Sequence, residues 1–302
     1  MRDESFVLIP ENLAIKEPDK KLLDIINSKK FDDKILYEKE SAFHNILVVE
    51  NEIGRFLHYK NTYQAGFINT PFYKGNLPYI NYFLISYLMN PKINNILLIG
   101  MGTGKIVKDM ESLFPSLSKI DVVDIEENIL EIAQDYFGFV QSDKFSFHLQ
   151  DGITFLSHTK IKYDLIIVDV ANNDGIDSRF LEDRYLECVL KSLKKGGIFV
   201  SNLCSSAEFE SPKNIFLPKI VSKYKKYFKH LQIYKGDYSD RVYYKSFFDL
   251  DQRVIDVTNV ILIASNKYSD RDIDRPVSEI DENKFECIGV DIENYLSDLY
   301  RS

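Results

Sequence analysis

Residues 94–104 have the sequence NNILLIGMGTG, a short apolar run that ends in three glycines separated by single residues. A continuous apolar run of this length, bounded by glycines and followed by a helix-like segment, is typical of a buried parallel strand that turns into a helix. Gly100, Gly102 and Gly104 allow a tight turn and a close approach of the backbone to a ligand at the helix N-terminus. The stretch predicts the first strand–helix turn of an open α/β sheet, with a structural turn that binds no ligand as the alternative.

The glycine pattern is shorter than a dinucleotide-binding fingerprint. Ile106 and Val107 follow the turn where a later glycine would be expected, and no phosphate-loop Gly-Lys-Ser/Thr is present. An NAD-dependent oxidoreductase is therefore disfavoured.

Strand-like and helix-like segments alternate after the turn, and a buried helix is predicted before it at residues 79–89. The predicted helices after the turn are Lys105–Leu113, 127–137, Gly152–His158, 180–193 and 215–228. The predicted strands are 120–125, Phe145–Leu149, 163–170, 198–203, 230–234 and 260–264. Alternation at this spacing implies crossover connections and a doubly wound, mainly parallel sheet.

The residues before this α/β pattern favour a different architecture, because their apolar residues recur with a period of two. Four short strands are predicted, at residues 34–38, 45–49, 55–59 and 66–69. Such a sheet is too small to be stable alone. We therefore expect a small antiparallel β domain in residues 1–78, an α/β domain in 79–266 and a C-terminal tail, helical at 292–300, in 267–302.

Charge and composition limit the partners and the location. The chain carries 46 acidic and 38 basic residues, a formal net charge of -8. This balance argues against nucleic acid or an anionic membrane as the main partner and is compatible with a cationic small molecule. No apolar stretch approaches the roughly 20 residues of a membrane helix. The first residues are acidic where a signal peptide is basic and then apolar, so we expect a cytoplasmic protein.

The cysteines and histidines give no metal-binding pattern. Three cysteines lie far apart without a C-x-x-C pair, and five histidines are scattered without H-x-x-x-H spacing. Reduced thiols and no metal site are predicted.

Three acidic residues follow the predicted strands at the edge of the sheet where ligands bind in such folds. Asp124 stands roughly 20 residues beyond the glycine turn, a position suited to accept hydrogen bonds from ribose hydroxyls. Asp151 could receive the exocyclic amine of a base. Asp169 follows the apolar strand YDLIIV, where an unpaired structural carboxylate would be costly, so a functional role is preferred.

Each of the first two acids has a structural alternative. Asp124 could cap a helix that starts near Glu126. Asp151, directly before Gly152, could be a turn residue. The agreement of three acids in register favours the functional interpretation.

Several motifs in this order resemble the spermidine synthase family of aminopropyltransferases. They are FHNILV, GFIN, GMGTG, DIEEN, QDG, YDLIIVD, RFLEDRY and LKSLKKGG, and they cover residues 41–266. The resemblance implies a class I methyltransferase-like sheet preceded by a small β domain. It also implies decarboxylated S-adenosylmethionine or S-adenosylmethionine as co-substrate, an amine as acceptor, and a homodimer.

The resemblance also assigns roles to individual residues. Asp124 would hold the ribose, Asp151 the adenine, and Asp169 would orient or deprotonate the attacking amine. Tyr79 matches a substrate-site tyrosine. The remaining residues implied to bind the nucleoside are His44, Asn69, Gly100, Gly102, Thr103, Ile125 and Gly152.

The departures from the family fall in the amine half of the site. Thr103 stands where the family has an Asp that would repel the carboxylate of intact S-adenosylmethionine. Asn172 replaces the second acid of the family's D-S-S-D-P segment, with Asp174 or Asp177 as substitutes if the loop is rearranged. The leading hypothesis is transfer of an aminopropyl group to an amine. The alternatives are an S-adenosylmethionine-dependent methyltransferase, which Thr103 favours, and a catalytically idle homologue that serves as a binding module.

Overall fold

The structure, a computed structural model, describes residues 33–43, 45–59, 62–69, 74–76, 78–170, 178–206, 216–235 and 257–268. The predicted helix at 292–300 lies outside these residues. Among the helices of these ranges, none has the length and apolar character needed to cross a membrane.

The N-terminal part forms a five-stranded antiparallel sheet in the order β1-β2-β3-β4-β5. Its strands are β1 (Lys34–Glu40), β2 (Asn45–Asn51), β3 (Gly54–Tyr59), β4 (Thr62–Asn69) and β5 (Lys74–Asn76). The four predicted strands are present. The short β5 was not predicted, because three residues are too few to show a period of two.

The second sheet has seven strands, with helices between them. The strands are β6 (Asn95–Ile99), β7 (Lys119–Asp124), β8 (Phe145–Leu149), β9 (Tyr163–Val168), β10 (Leu193–Ser206), β11 (His230–Lys235) and β12 (Val257–Ser265). The α-helices of the described ranges are α1 (Ile85–Met89), α2 (Lys105–Leu113), α3 (Ile129–Phe137), α4 (Gly152–His158), α5 (Asp183–Ser192) and α6 (Phe216–Tyr224).

The strand order is β11-β12-β10-β9-β6-β7-β8. Strands β7 and β8 are added on one side of β6, and β9 and β10 are added on its other side, so the order reverses at β6. Neighbours from β10 to β8 pair in parallel, whereas β12 pairs antiparallel with both β10 and β11. The predicted doubly wound, mainly parallel sheet is confirmed. Ligands of doubly wound sheets bind at such a reversal point, and the glycine turn, which follows β6, lies there.

Two predicted helices are partly wrong. Residues Pro78–Leu84 form a 3₁₀ helix, and the α-helical part begins only at Ile85. This segment is buried on most sides, so its apolar residues show no 3.6-residue face that would distinguish the two helix types. Similarly, Ser178–Leu181 is a 3₁₀ helix, and α5 begins at Asp183.

The strand after α5 begins earlier than predicted. The predicted helix 180–193 and strand 198–203 left Gly196 and Gly197 between them, but both glycines lie inside β10, which already begins at Leu193. The pairing with β9 shifts register between Leu193 and Ile198, and Gly196 has φ +77°. A glycine accommodates such an irregularity within a strand because it has no Cβ.

The two sheets share one hydrophobic core. Ile46 and Phe56 of the small sheet belong to the same buried cluster as Leu98 of β6 and Ile106 of α2. Polar contacts reinforce the packing near α3: Ser41 donates to Glu126, 2.7 Å away, and Lys39 to Asn128. The small sheet therefore packs against the side of the large sheet that carries the glycine turn.

Candidate active site

The glycine turn lies directly against the end of β9. Gly100, Gly102 and Gly104 all have positive φ, from 52° to 94°, the region in which only glycine is unstrained. A Cβ on Gly100 would lie 2.1 Å from the carbonyl oxygen of Asp169. The turn can therefore approach this strand end only without a side chain at position 100.

Backbone hydrogen bonds bring the carboxyl ends of four strands to one edge. The amide of Asp169 donates to Ile99, and that of Gly100 to Val123, each over 2.9 Å. Gln150 donates to the carbonyl of Asp124 over the same distance. The predicted acids thus lie at or just after the carboxyl ends of β7, β8 and β9, along one edge of the sheet, as the sequence implied.

Asp124 holds the glycine turn through one carboxylate oxygen and its own loop through the other. Its Oδ2 accepts from the amide of Met101 at 2.8 Å, and its Oδ1 accepts from the amide of Glu126 at 2.9 Å. The alternative that Asp124 caps α3 is wrong, because Asn128 is the N-cap of that helix. Burial raises the pKa of Asp124, although hydrogen bonds from the backbone amides of Met101, Glu126 and Ile125 oppose this effect. A carboxylate has about four acceptor positions, so Asp124 can still accept from a ligand hydroxyl.

Asp151 is the N-cap of α4, a structural role that differs from the turn residue given as its alternative. Its Oδ1 accepts from the amide of Thr154 at 2.8 Å and from the Thr154 hydroxyl at 2.9 Å. Arg179 Nη1 lies 3.1 Å from Oδ2. Burial would raise the pKa of Asp151, but the bonds from Thr154 and the charge of Arg179 outweigh it and hold the pKa below its ordinary value. An adenine amine would have to share these oxygens with Arg179.

Gly152 explains how α4 begins so near the sheet. A Cβ at this position would lie 2.4 Å from Cγ2 of Ile99 at the end of β6. The start of α4 therefore packs tightly against the strand that leads into the glycine turn.

Asp169 and Tyr79, two of the three predicted catalytic residues, meet directly. The Tyr79 hydroxyl donates to Asp169 Oδ2 over 3.1 Å, and Tyr79 is buried. Burial raises the pKa of Asp169 to about 6, against hydrogen bonds from Asn202 and Tyr79 that lower it. The carboxylate is consequently a stronger proton acceptor than an exposed aspartate, while it stays ionised at neutral pH.

Sequence reasoning missed two asparagines beside Asp169. Asn202 Nδ2 donates to Asp169 Oδ1 and to Asn259 Oδ1, each over 2.9 Å. Asn202 follows the apolar residues of β10 as Asp169 follows those of β9, and this likeness was an available signal. Asn259 lies on the antiparallel β12, and nothing in its neighbourhood in the sequence connects it to the site.

The other predicted site residues have fewer contacts with the acids at this edge of the sheet. Thr103 is 8% exposed within the glycine turn, and Ile125 is half-buried after Asp124. Asn69, at the end of β4, has an exposed side chain, and its amide donates to the carbonyl of Ile53. The remaining predicted residues, His44, Asn172, Asp174 and Asp177, lie outside the described residues.

The described residues contain no group of three or more His, Cys, Asp or Glu side chains that could hold a metal ion. The chemical groups gathered at the edge are instead carboxylates, amides, a phenol and glycine backbone. Such a set can accept hydrogen bonds from a nucleoside and hold an amine beside a proton acceptor.

Solved structures share this fold. A spermidine synthase in complex with the transition state analogue AdoDATO matches with a TM-score of 0.65 at 15% identity, over 88% of this chain and 85% of that chain. Spermidine synthase from Thermotoga maritima gives a TM-score of 0.63 at 15% identity, over 88% and 84%. Together with the strand order, they define a doubly wound, mainly parallel α/β protein with an antiparallel β sheet before it.

Sequence comparison narrows the class to a family. The spermine/spermidine synthase domain model matches residues 84–244, just over half of the 302-residue chain. The chain belongs to the spermine/spermidine synthase family.

Curated relatives carry the name polyamine aminopropyltransferase. The protein from Vibrio vulnificus is 27% identical over 58% of this chain and 60% of its own length. The one from Alkaliphilus metalliredigens is 30% identical over 49% and 52%. The chain thus spans between half and three fifths of the length of these relatives. A longer match, to the Alkaliphilus oremlandii protein, covers 89% and 87% at 24% identity.

Proposed function

We propose that this protein is an aminopropyltransferase of polyamine biosynthesis, with decarboxylated S-adenosylmethionine as donor and a small amine as acceptor. The family, and the name polyamine aminopropyltransferase that its relatives carry, support this class of reaction. We further propose that the protein acts in the cytoplasm as a homodimer. Light scattering on the purified chain tests the assembly.

The observation that carries the proposal is the contact between Tyr79 and Asp169 beside the glycine turn. A carboxylate with a pKa of about 6 lies next to the backbone that would face the donor. This pairing of a proton acceptor with a donor-binding turn is what attack by an amine on an activated carbon requires.

In the proposed reaction, the acceptor amine attacks the donor's aminopropyl carbon next to sulfur. A nitrogen–carbon bond forms as the carbon–sulfur bond breaks, and the electron pair of that bond neutralises the sulfonium. The products are methylthioadenosine and the aminopropylated amine. Asp169 accepts the proton that the nitrogen loses. Free alkylamines are protonated at neutral pH, with a reference pKa of about 10.4 for lysine, so the site must also favour the neutral form.

The donor would lie across the strand ends. Gly100 and Gly102 let the backbone approach it, while the free lone pairs of Asp124 receive the ribose hydroxyls. Asp151 would receive the adenine amine. Thr103, Ile125 and Gly152 would complete this half of the site, together with Asn69 of β4 and with His44. Asp174 is the proposed further contact for the acceptor.

Thr103 is the one observation that favours methyl transfer from intact S-adenosylmethionine. A hydroxyl does not repel the carboxylate of that molecule as an Asp would. The names of the relatives do not favour this alternative.

The two reactions are distinguished by their nucleoside products. The purified full chain is incubated with either donor and a panel of amines such as putrescine, and the products are measured by mass spectrometry. Methylthioadenosine formed only from the decarboxylated donor supports the proposal. Release of S-adenosylhomocysteine would instead establish a methyltransferase, and nucleoside binding without any product would establish an idle homologue.

A further inference from the structure

Asn202 donates both hydrogens of its side-chain amide, each to a different acceptor. One goes to Asp169 Oδ1 and the other to Asn259 Oδ1, each over 2.9 Å. A carboxylate that is ionised can only accept, so the nitrogen of Asn202, and not its oxygen, must face Asp169. The orientation of this amide is therefore fixed from two sides.

The strands place these three residues in a row. β10 lies between β9 and β12, and Ser201 pairs with Val168 while Asn202 pairs with Ile261. Asn259 is 6% exposed. The row thus runs from the end of β9 across β10 to the antiparallel β12.

We propose that Asn202 is a positioning residue for Asp169, held in place by Asn259, and that it orients the carboxylate so that Oδ2 faces Tyr79 and the acceptor amine. This inference rests on the proposed function, which makes Asp169 the proton acceptor. It adds a residue pair to the reaction that neither the motifs nor their spacing identified.

The arrangement is not explained by stability alone. The side-chain oxygen of Asn202 is buried, and in the described part of the chain it has no hydrogen-bond partner. A buried acceptor without a partner is costly, and an apolar side chain on β10 would avoid that cost. The hydrogen bond from the amide nitrogen to Asp169 instead accounts for an asparagine at this position.

The environment of Asp169 also makes the inference testable by titration. In the described residues, the polar side chains that contact it are the uncharged phenol of Tyr79 from the 3₁₀ helix and the uncharged amide of Asn202 from β10. The hydrogen bond from Asn202 favours the ionised form. Its loss should raise the pKa of Asp169, and no charged neighbour in these residues compensates.

The test compares Asn202→Ala with the wild type by two measurements. The first is the carboxyl carbon resonance of Asp169 in protein labelled with ¹³C-aspartate, assigned with Asp169→Asn and followed from pH 4 to pH 9. The second is the pH dependence of kcat and the KM for the donor. We expect the pKa of Asp169 to rise by about one unit. Protonation alone then lowers kcat at neutral pH by about twofold, and the lost orientation of the carboxylate brings the total fall to roughly tenfold, while the KM for the donor stays within about twofold.

Asn95→Ala is the matched control, because Asn95 is the first residue of β6. It lies at the amino-terminal ends of the parallel strands, whereas Asp169 lies at their carboxyl ends. It should leave the titration and the kinetics unchanged. Asn259→Ala gives a second variant that does not touch Asp169, in case Asn202→Ala does not fold. It should shift the titration in the same direction by a smaller amount.

A folded Asn202→Ala or Asn259→Ala variant whose Asp169 titration superimposes on that of the wild type would overturn the inference. A wild type that forms no product in the amine panel would overturn the proposed function instead. In that case the titration still shows whether Asn202 affects the pKa of Asp169, so the two failures are distinguishable.

Discussion

The hydroxyl of Tyr79 lies 3.1 Å from Oδ2 of Asp169, although 90 positions separate the two residues in the chain. Tyr79 belongs to the 3₁₀ helix that leads from the small sheet to β6, and Asp169 follows β9. β6 and β9 are neighbours in the large sheet. The contact therefore joins the segment that leads into the α/β sheet to the end of its central strand, β9.

Asp169→Asn should remove the proton acceptor while it preserves the shape of the side chain. We expect kcat to fall by about 10²–10⁴-fold, the usual contribution of a positioned general base, with donor affinity changed by less than about threefold. Product formation and calorimetric donor binding measure the two effects. Turnover equal to that of the wild type would exclude Asp169 from the mechanism.

Activity should depend on pH through Asp169. Burial raises its pKa to about 6, and only the ionised form accepts a proton. Activity is therefore present above about pH 6 and is lost as pH falls through that value, whereas an ordinary Asp has a pKa of about 3.9. The pH profile of kcat/KM for the donor, at saturating amine, measures this limb. Tyr79→Phe should move it to higher pH, since the phenol hydrogen bond lowers the pKa of Asp169.

Asp124→Asn should weaken donor binding and loosen the glycine turn. An amide at this position supplies an NH₂ group where one oxygen now accepts from Met101 or Glu126, so two donors would face each other. We expect donor affinity to fall tenfold or more and the free energy of unfolding to fall by about 1–3 kcal/mol. Calorimetry and denaturant unfolding measure these quantities. Asp135→Asn, on the exposed side of α3, should change neither.

Gly100→Ala and Gly102→Ala should differ although both glycines have positive φ. At position 100 the new Cβ would lie 2.1 Å from the Asp169 carbonyl, whereas at position 102 its nearest neighbour is Ala65 Cβ at 3.5 Å. Gly102→Ala should fold with a loss of about 1–2 kcal/mol from the left-handed backbone. Gly100→Ala should lose more than that and displace Asp169. Equal unfolding free energies for the two variants would contradict the close approach of the turn to β9.

Local patterns in the sequence predicted the large sheet well. The apolar run before Gly100 and the amphipathic segment after it gave β6 and α2, since the spacing of apolar residues in one segment reflects the face it buries. The positions of Asp124, Asp151 and Asp169 at one edge followed from the rule that parallel strands present their carboxyl ends together. Residues 79–84 were predicted less well, because a segment buried on most sides shows no period.

The sequence by itself determined the order of strands and helices, the glycine turn and the acids that follow the strands, because each depends on neighbouring residues. Only the tertiary structure decided that Arg179 binds Asp151 and that Asn202 and Asn259 bind in a row beside Asp169. Those contacts depend on which strands become neighbours, and β12 enters between β10 and β11. Such pairing is set by the packing of the whole sheet, and the spacing of residues within one segment does not predict it.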